Sequence, residues 1–84
     1  MEKNIEISIL CDIYGKLLTE KQLAILHDYY NNDLSLSEIG ENEGITRQAV
    51  RDAIKKAENK LYEYEEKVGF MKYKQETGGF ENGV

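Results

Sequence analysis

The sequence lacks proline and tryptophan, and its 84 residues include one cysteine and one histidine. The lone Cys11 excludes an internal disulfide and a cysteine-based zinc site. His27 shares its predicted helix with no cysteine, which argues against a metal-ligand or general-base role. No apolar run approaches the roughly 20 residues of a membrane-spanning helix, and the amino terminus lacks the basic-then-apolar pattern of a secretory signal. We therefore predict a cytoplasmic protein without a membrane span, a metal or a cofactor.

The sequence also lacks the groupings that catalysis needs. It has no glycine-rich phosphate loop. The carboxylates in two acidic runs have no histidine, serine or metal-ligand set beside them, so they are typical of solvated helix faces. These are Glu38, Glu41 and Glu43, followed by Glu63, Glu65 and Glu66. We predict that the protein is not an enzyme.

The residues that are abundant favour helices. Glutamate, lysine, leucine and isoleucine are frequent and proline is absent, so we predict an all-α fold, a small helical bundle. The length allows one domain with a single modest core. We place this domain at residues 1–75. Residues 76–84 have no apolar periodicity and several glycines, and we predict a flexible tail there.

Four helices can be placed from periodicity and capping signals. The first has one buried face with helical spacing, formed by Ile7, Leu10, Cys11, Tyr14, Leu17 and Leu18. The other three begin after an N-cap: Thr19 with Gln22 as its capping-box partner, Ser35 with Glu38, and Thr46. The second helix is expected to extend to about Tyr30. Its inward face would be Leu23, Leu26 and Tyr30, with Ile25 or Tyr29 at the edge.

Residues 36–55 have the pattern of a helix-turn-helix. Gly44 supplies the tight turn, because glycine enters the left-handed region without a Cβ clash. Gly40 lies where the first helix of the pair must approach the second closely. The apolar wedge between the two helices would consist of Ile39, Ile45, Val50 and Ile54. This arrangement turns the second helix outward.

The outer face of that second helix is basic. Arg47, Arg51 and Lys55 recur every four residues and therefore share one face. Residues 46–60 have five basic and two acidic residues, net +3, whereas residues 1–45 have three and nine, net −6, and residues 61–84 have three and five, net −2. Because the total is −5, we expect weak binding to DNA. The alternative is a packing unit whose basic face is solvated and pairs with Asp52 and Glu58.

The apolar pattern continues beyond the motif as a heptad seam, formed by Val50, Ile54, Ala57, Leu61, Tyr64, Val68 and Met71. The helix either continues past the motif or breaks briefly near residues 58–60, with Gly69 as the first later stop. The seam either folds back on the first helix or pairs with a partner, including a second copy of the chain. The candidate partner or dimer interface is Leu61, Tyr64, Val68 and Met71. Tyr62, Tyr64 and Tyr73 add surface of the kind enriched at interfaces.

Two resemblances follow from these motifs. The run ITRQAVR at 45–51 resembles the helix-turn-helix in region 4 of bacterial sigma factors, whose second helix reads promoter DNA. A wider set of motifs resembles the YlxM family of helix-turn-helix DNA-binding proteins over residues 6–70. The set is YGKLLTEKQ at 14–22, YY at 29–30, LSLSEI at 34–39, RQAV at 47–50 and YEEK at 64–67. The family resemblance implies a sigma-region-4-like helical protein whose gene lies beside those of the signal recognition particle.

The sigma resemblance implies roles for particular residues. Arg47 and Gln48 match base-contacting positions, and Arg51 matches a position facing the backbone or groove. Asp52 stands where the sigma motif has glutamine; it could accept from a cytosine amino group but would also repel phosphates. The candidate nucleic-acid-binding residues are Thr46, Arg47, Gln48, Arg51, Asp52 and Lys55. We predict a DNA-binding regulator. The alternative is an adaptor of the signal recognition particle system that binds protein or particle RNA.

Overall fold

The computed structural model describes residues 2–71, which form four α-helices joined by short connections. Helix α1 is Lys3–Tyr14, α2 is Glu20–Tyr30, α3 is Leu36–Glu43 and α4 is Arg47–Val68. A single 3₁₀ turn, Gly15–Leu17, joins α1 to α2, and these residues contain no strand. The predicted all-α fold is therefore confirmed. The expected tail at 76–84, the domain end at 75 and Tyr73 lie outside the described residues.

The capping signals place the helix starts as the sequence predicts. Thr19 Oγ1 accepts from the backbone N–H of Gln22 at 3.1 Å, and Gln22 Oε1 accepts from the backbone N–H of Thr19 at 3.1 Å. Ser35 and Glu38 form the same reciprocal pair at 3.1 and 2.9 Å. Hydrogen bonds from Ser35 lower the pKa of the Glu38 carboxyl. Each pair satisfies two backbone N–H groups that a helix start leaves unpaired.

One hydrophobic core joins all four helices. Its buried members are Ile7, Leu10, Tyr14, Leu18, Ile25, Leu26, Ile39, Val50, Ile54, Ala57, Leu61 and Met71. Ile25 is 2 % exposed, so it belongs to the core rather than to the edge of α2. Leu17 is 57 % exposed, and its predicted burial is wrong. The reason is that α1 ends at Tyr14, and the tighter 3₁₀ turn changes the direction of the following side chains.

Helix α4 continues without a break through residues 58–60 and packs against each of the other three helices. Its 22 residues span about 33 Å. It ends at Gly69, whose φ of 70° is left-handed, so the predicted stop is confirmed. Leu61 and Ala57 are buried among residues of α1 and α2, which agrees with the fold-back alternative for the seam.

Tyrosine-to-glutamate hydrogen bonds attach α4 to the helices beneath it. In each bond a tyrosine hydroxyl donates to a glutamate carboxylate: Tyr14 to Glu65, Tyr30 to Glu58, and Tyr62 to Glu6. Burial, followed by the hydrogen bond to the carboxylate, raises the pKa of all three tyrosines, to about 12 for Tyr62. The bonds join residues that are 28 to 56 positions apart in the chain. They fix the rotation of α4 about its own axis.

Two of these glutamates differ from expectation. Glu65 is not simply solvated, because its Oε1 accepts from the Tyr14 hydroxyl at 2.7 Å and from the backbone N–H of Met71 at 3.0 Å. Glu58 is 6 % exposed and lies 3.2 Å from Lys3 Nζ, so it does not pair with the basic face of α4. A buried carboxylate with a cation and a hydroxyl donor is satisfied, whereas removal of either partner would leave it poorly compensated.

Candidate nucleic-acid interface

Two glycines in and beside the turn set the geometry of the α3–α4 pair. Gly44 has φ 71°, and the backbone N–H of Ile45 donates to the Gly40 carbonyl at 2.9 Å. A Cβ added to Gly40 would lie 2.7 Å from the Ile45 carbonyl oxygen. That distance is too short for a side-chain carbon against a backbone atom, so both predicted roles, turn and close approach, agree with the structure. The close approach at Gly40 fixes how α4 leaves α3.

The wedge beneath α4 determines which of its faces is presented. Ile39 and Val50 are 0 % exposed and Ile54 is 6 % exposed, while Ile45 is half-buried. Since successive residues of a helix are about 100° apart, burial of Val50 and Ile54 turns the opposite face to solvent. The six predicted nucleic-acid-binding residues all have exposed side chains: Thr46, Arg47, Gln48, Arg51, Asp52 and Lys55.

The cations of this face are available to a ligand. Among residues 2–71 the single ion pair joins Lys3 to Glu58, so neither Arg47 nor Arg51 is engaged with a carboxylate. Both arginines, with Gln48 and Leu36, line a shallow groove between α4 and the start of α3. A planar guanidinium on an exposed helix face can donate two parallel hydrogen bonds to a phosphate or to guanine.

The amino-terminal end of α4 adds a second kind of anion contact. Thr46 Oγ1 accepts from the backbone N–H of Ala49 at 3.0 Å, so Thr46 is the helix cap. Its hydroxyl hydrogen can still be donated to a phosphate oxygen. The other N–H groups of the first turn have no helical partner, and the helix dipole favours an anion there.

One contact on this face was not foreseen. Gln48 Nε2 donates to Asp52 Oδ1 at 3.1 Å, along one turn of α4. The spacing of four residues was a usable signal, because amide and carboxylate side chains at i and i+4 are neighbours on a helix. Gln48 follows Arg47 and Asp52 follows Arg51 in the sequence, so the pair places a carboxylate beside the row of cations.

The predicted partner interface is only partly accessible. Leu61 is 0 % and Met71 9 % exposed, and both belong to the core of the single chain. Tyr64 is half-buried, with its ring 6.1 Å from that of Tyr14. Val68, at 64 % exposed, is the most accessible of the four. A partner that docks on the folded chain would therefore contact Val68 and the edge of Tyr64.

Cys11 and His27 come together in a cleft between α1 and α2. Burial, followed by the charge of Asp12, raises the pKa of the Cys11 thiol, which disfavours the thiolate. No group of three potential metal ligands occurs among residues 2–71. The described helices also include none that is long and apolar enough to cross a membrane.

Comparison with known proteins places this geometry in a family. The family described as "Putative helix-turn-helix protein, YlxM / p13 like" matches residues 1–81. A UPF0122 protein of Clostridium kluyveri is 49 % identical over 84 residues, which are 100 % of this chain and 76 % of that protein. A relative from Malacoplasma penetrans is 54 % identical over 66 residues, 79 % of this chain and 62 % of the relative. One from Clostridium perfringens is 50 % identical over 72 residues, 86 % of this chain and 64 % of the relative.

The match covers all four helices, including the complete helix-turn-helix. The chain spans less than two thirds of the length of the Malacoplasma and Clostridium perfringens relatives. The close approach at Gly40, the turn at Gly44, the capped α4 and the family match agree with one another. The chain belongs to the YlxM/p13-like helix-turn-helix family.

Proposed function

We propose that the chain is a duplex-DNA-binding regulatory protein that inserts the first half of α4 into the major groove. The observation that carries this proposal is the outer face of α4. Its cations are exposed, are not engaged in ion pairs among residues 2–71, and follow directly after a helix-turn-helix turn. In a chain with net charge −5, this concentration of positive charge is local to the helix that the motif presents.

The dimensions of the face agree with groove binding. From Thr46 to Lys55 the helix rises about 14 Å, and a helix fits a major groove about 12 Å wide. Arg47 and Gln48, nearest the amino-terminal end, would contact base edges. Arg51 and Lys55 would contact the backbone, and the Thr46 hydroxyl would donate to a phosphate.

The charge distribution limits the affinity. Three or four cations on this face neutralise only a few phosphates, while the acidic remainder of the surface is repelled by DNA. A fourfold increase in salt, from about 50 to about 200 mM, is therefore expected to weaken binding by about 40- to 150-fold. Sequence-specific contacts have to supply much of the useful affinity.

The experiment is a fluorescence-anisotropy titration of labelled duplex DNA with three proteins: the unaltered chain, Arg47→Ala with Arg51→Ala, and Lys16→Ala with Lys67→Ala. The last variant removes the same charge from exposed positions away from the face. We expect the arginine variant to bind at least about tenfold more weakly. The lysine variant is expected to bind within a few-fold of the unaltered chain.

Circular dichroism provides the folding control, since all four altered side chains are exposed and helical content is expected to stay constant. Failure of the unaltered chain to bind duplex DNA at the lower salt would contradict the proposal. Equal binding by the arginine variant would contradict the assigned face.

A second candidate function is an adaptor that binds protein or RNA of the signal recognition particle system. The observation that favours it is the exposure of Leu17 at 57 % and Val68 at 64 %, two large apolar side chains outside the helix-turn-helix. Contiguous exposed apolar surface is a feature of docking surfaces, and the hydroxyl of Tyr64, one turn before Val68, lies 3.5 Å from the Leu17 carbonyl oxygen. For this candidate the arginine variant would retain partner binding, whereas Val68→Asp would lose it.

A further inference from the structure

The pair Gln48 and Asp52 is the one feature of the α4 face that opposes DNA as a polyanion. Asp52 is exposed, and its Oδ1 accepts from Gln48 Nε2 at 3.1 Å. It has no cation partner among residues 2–71. We propose that this pair makes the protein select a cytosine on the DNA strand facing α4. The inference rests on the proposed DNA-binding function and adds to it the base that is read.

The chemistry of base edges carries the choice of cytosine. An ionised carboxylate can only accept hydrogen bonds. In the major groove guanine presents two acceptors and thymine an acceptor with a methyl group, so a carboxylate is repelled by guanine and finds no donor on thymine. Adenine presents its amino donor beside the N7 acceptor. Cytosine presents an amino donor and no acceptor, and it is the base that a carboxylate matches without a competing repulsion.

Gln48 determines how the carboxylate is presented. Its Nε2 donates to Oδ1, which holds the Asp52 side chain along the helix axis. The second carboxylate oxygen, Oδ2, has no hydrogen-bond donor among the described residues and can accept from the base. Because the rotamer is held before DNA arrives, less side-chain freedom is lost on binding.

The same carboxylate penalises other sequences. On DNA with guanine or thymine at this position, Asp52 finds no donor and is repelled by phosphates and base acceptors, and on adenine the N7 acceptor opposes the amino donor. A contact that lowers binding to the wrong sequence raises discrimination without raising the maximum affinity. The pair therefore gives sequence selectivity to a basic face that binds DNA weakly.

The test is selection from a randomised duplex library, followed by titration of the enriched sequence and its single-base variants. The proteins compared are the unaltered chain, Asp52→Asn, and Glu63→Gln. Glu63 is an exposed carboxylate on the same helix, beyond the reading half, so its variant removes the same charge. For the unaltered chain we expect a shared cytosine, whose replacement weakens binding by about fivefold or more.

Asp52→Asn is expected to lose the cytosine preference, to bind unmatched duplexes more tightly and to favour adenine, since an amide both donates and accepts. Glu63→Gln is expected to keep the preference. An unchanged preference in Asp52→Asn, or enriched sequences without a common cytosine, would overturn the inference and leave DNA binding standing. No enrichment of any duplex by the unaltered chain would overturn both.

Discussion

Replacing Gly40 with valine is expected to lower the free energy of unfolding by about 2–3 kcal/mol, because the new side chain has no space against the turn. A Cβ at this position would lie 2.7 Å from the Ile45 carbonyl oxygen, which is backbone and cannot rotate away. In an unconstrained helix a residue with a side chain is more favourable than glycine by up to about 1 kcal/mol. The expected sign is therefore opposite to the intrinsic helix preference. Urea denaturation followed by circular dichroism measures the difference.

Gly44→Asn is the matched control for that experiment. Gly44 lies in the turn that follows the helix containing Gly40. A Cβ at Gly44 has no heavy atom within 4 Å, and its φ of 71° is a conformation that asparagine tolerates. We expect Gly44→Asn to lower the free energy of unfolding by less than about 1 kcal/mol. If Gly40→Val proved as stable as Gly44→Asn, the close approach between the turn and α3 would be disproved.

Truncation of Leu61 to alanine is also expected to have a large effect, and to lower the free energy of unfolding by about 2–5 kcal/mol. Leu61 is 0 % exposed, at the point where α4 packs on the helices beneath the motif, and the truncation leaves a cavity there. Since small domains are stable by only about 5–15 kcal/mol, a loss of this size is readily measured by thermal or urea unfolding.

Val68→Ala on the same helix provides the comparison. Val68 is 64 % exposed, and its truncation is expected to change stability by less than about 0.5 kcal/mol. The fold-back arrangement would be contradicted if Leu61→Ala changed the free energy of unfolding only slightly, particularly if the stability of the unaltered chain depends on protein concentration. In that case the seam would be packing against a second chain.

Local signals in the sequence were sufficient for the helix starts and the turn. Thr19 and Ser35 each have a capping partner three residues later in the sequence. The left-handed conformation at Gly44 is predictable because glycine is the residue that adopts it most readily. Such features depend on a few adjacent residues, so they can be predicted without the tertiary structure. The end of α4 at Gly69 was predictable for the same reason.

Contacts between distant parts of the chain were not predictable. Periodicity identifies the apolar face of a helix but does not show which polar side chains will meet across a helix interface. Glu65 was therefore predicted to be solvated, although it accepts a hydrogen bond from Tyr14, 51 residues away. Leu17 is exposed because the chain forms a 3₁₀ turn where the apolar spacing predicts a continuing α-helix.

The candidate site could be predicted only in part from the sequence. Its cationic face follows from the spacing of Arg47, Arg51 and Lys55, but its orientation depends on how α4 is held. The buried seam, the close approach at Gly40 and the tyrosine-to-glutamate hydrogen bonds together fix that orientation. Both halves of α4 are thereby packed on the core through their apolar face, and the basic face of the amino-terminal half is presented to solvent.

The most direct test of the central claim, that the first half of α4 is the DNA-contacting surface, is a nuclear magnetic resonance titration of the isotope-labelled chain with duplex DNA. We predict that the amide shifts of residues 44–55 change progressively while those of α1 and α2 stay constant. Shift changes centred on Leu17 and Val68, or no changes at low salt, would contradict the account and point to a protein or RNA partner at the opposite end of α4.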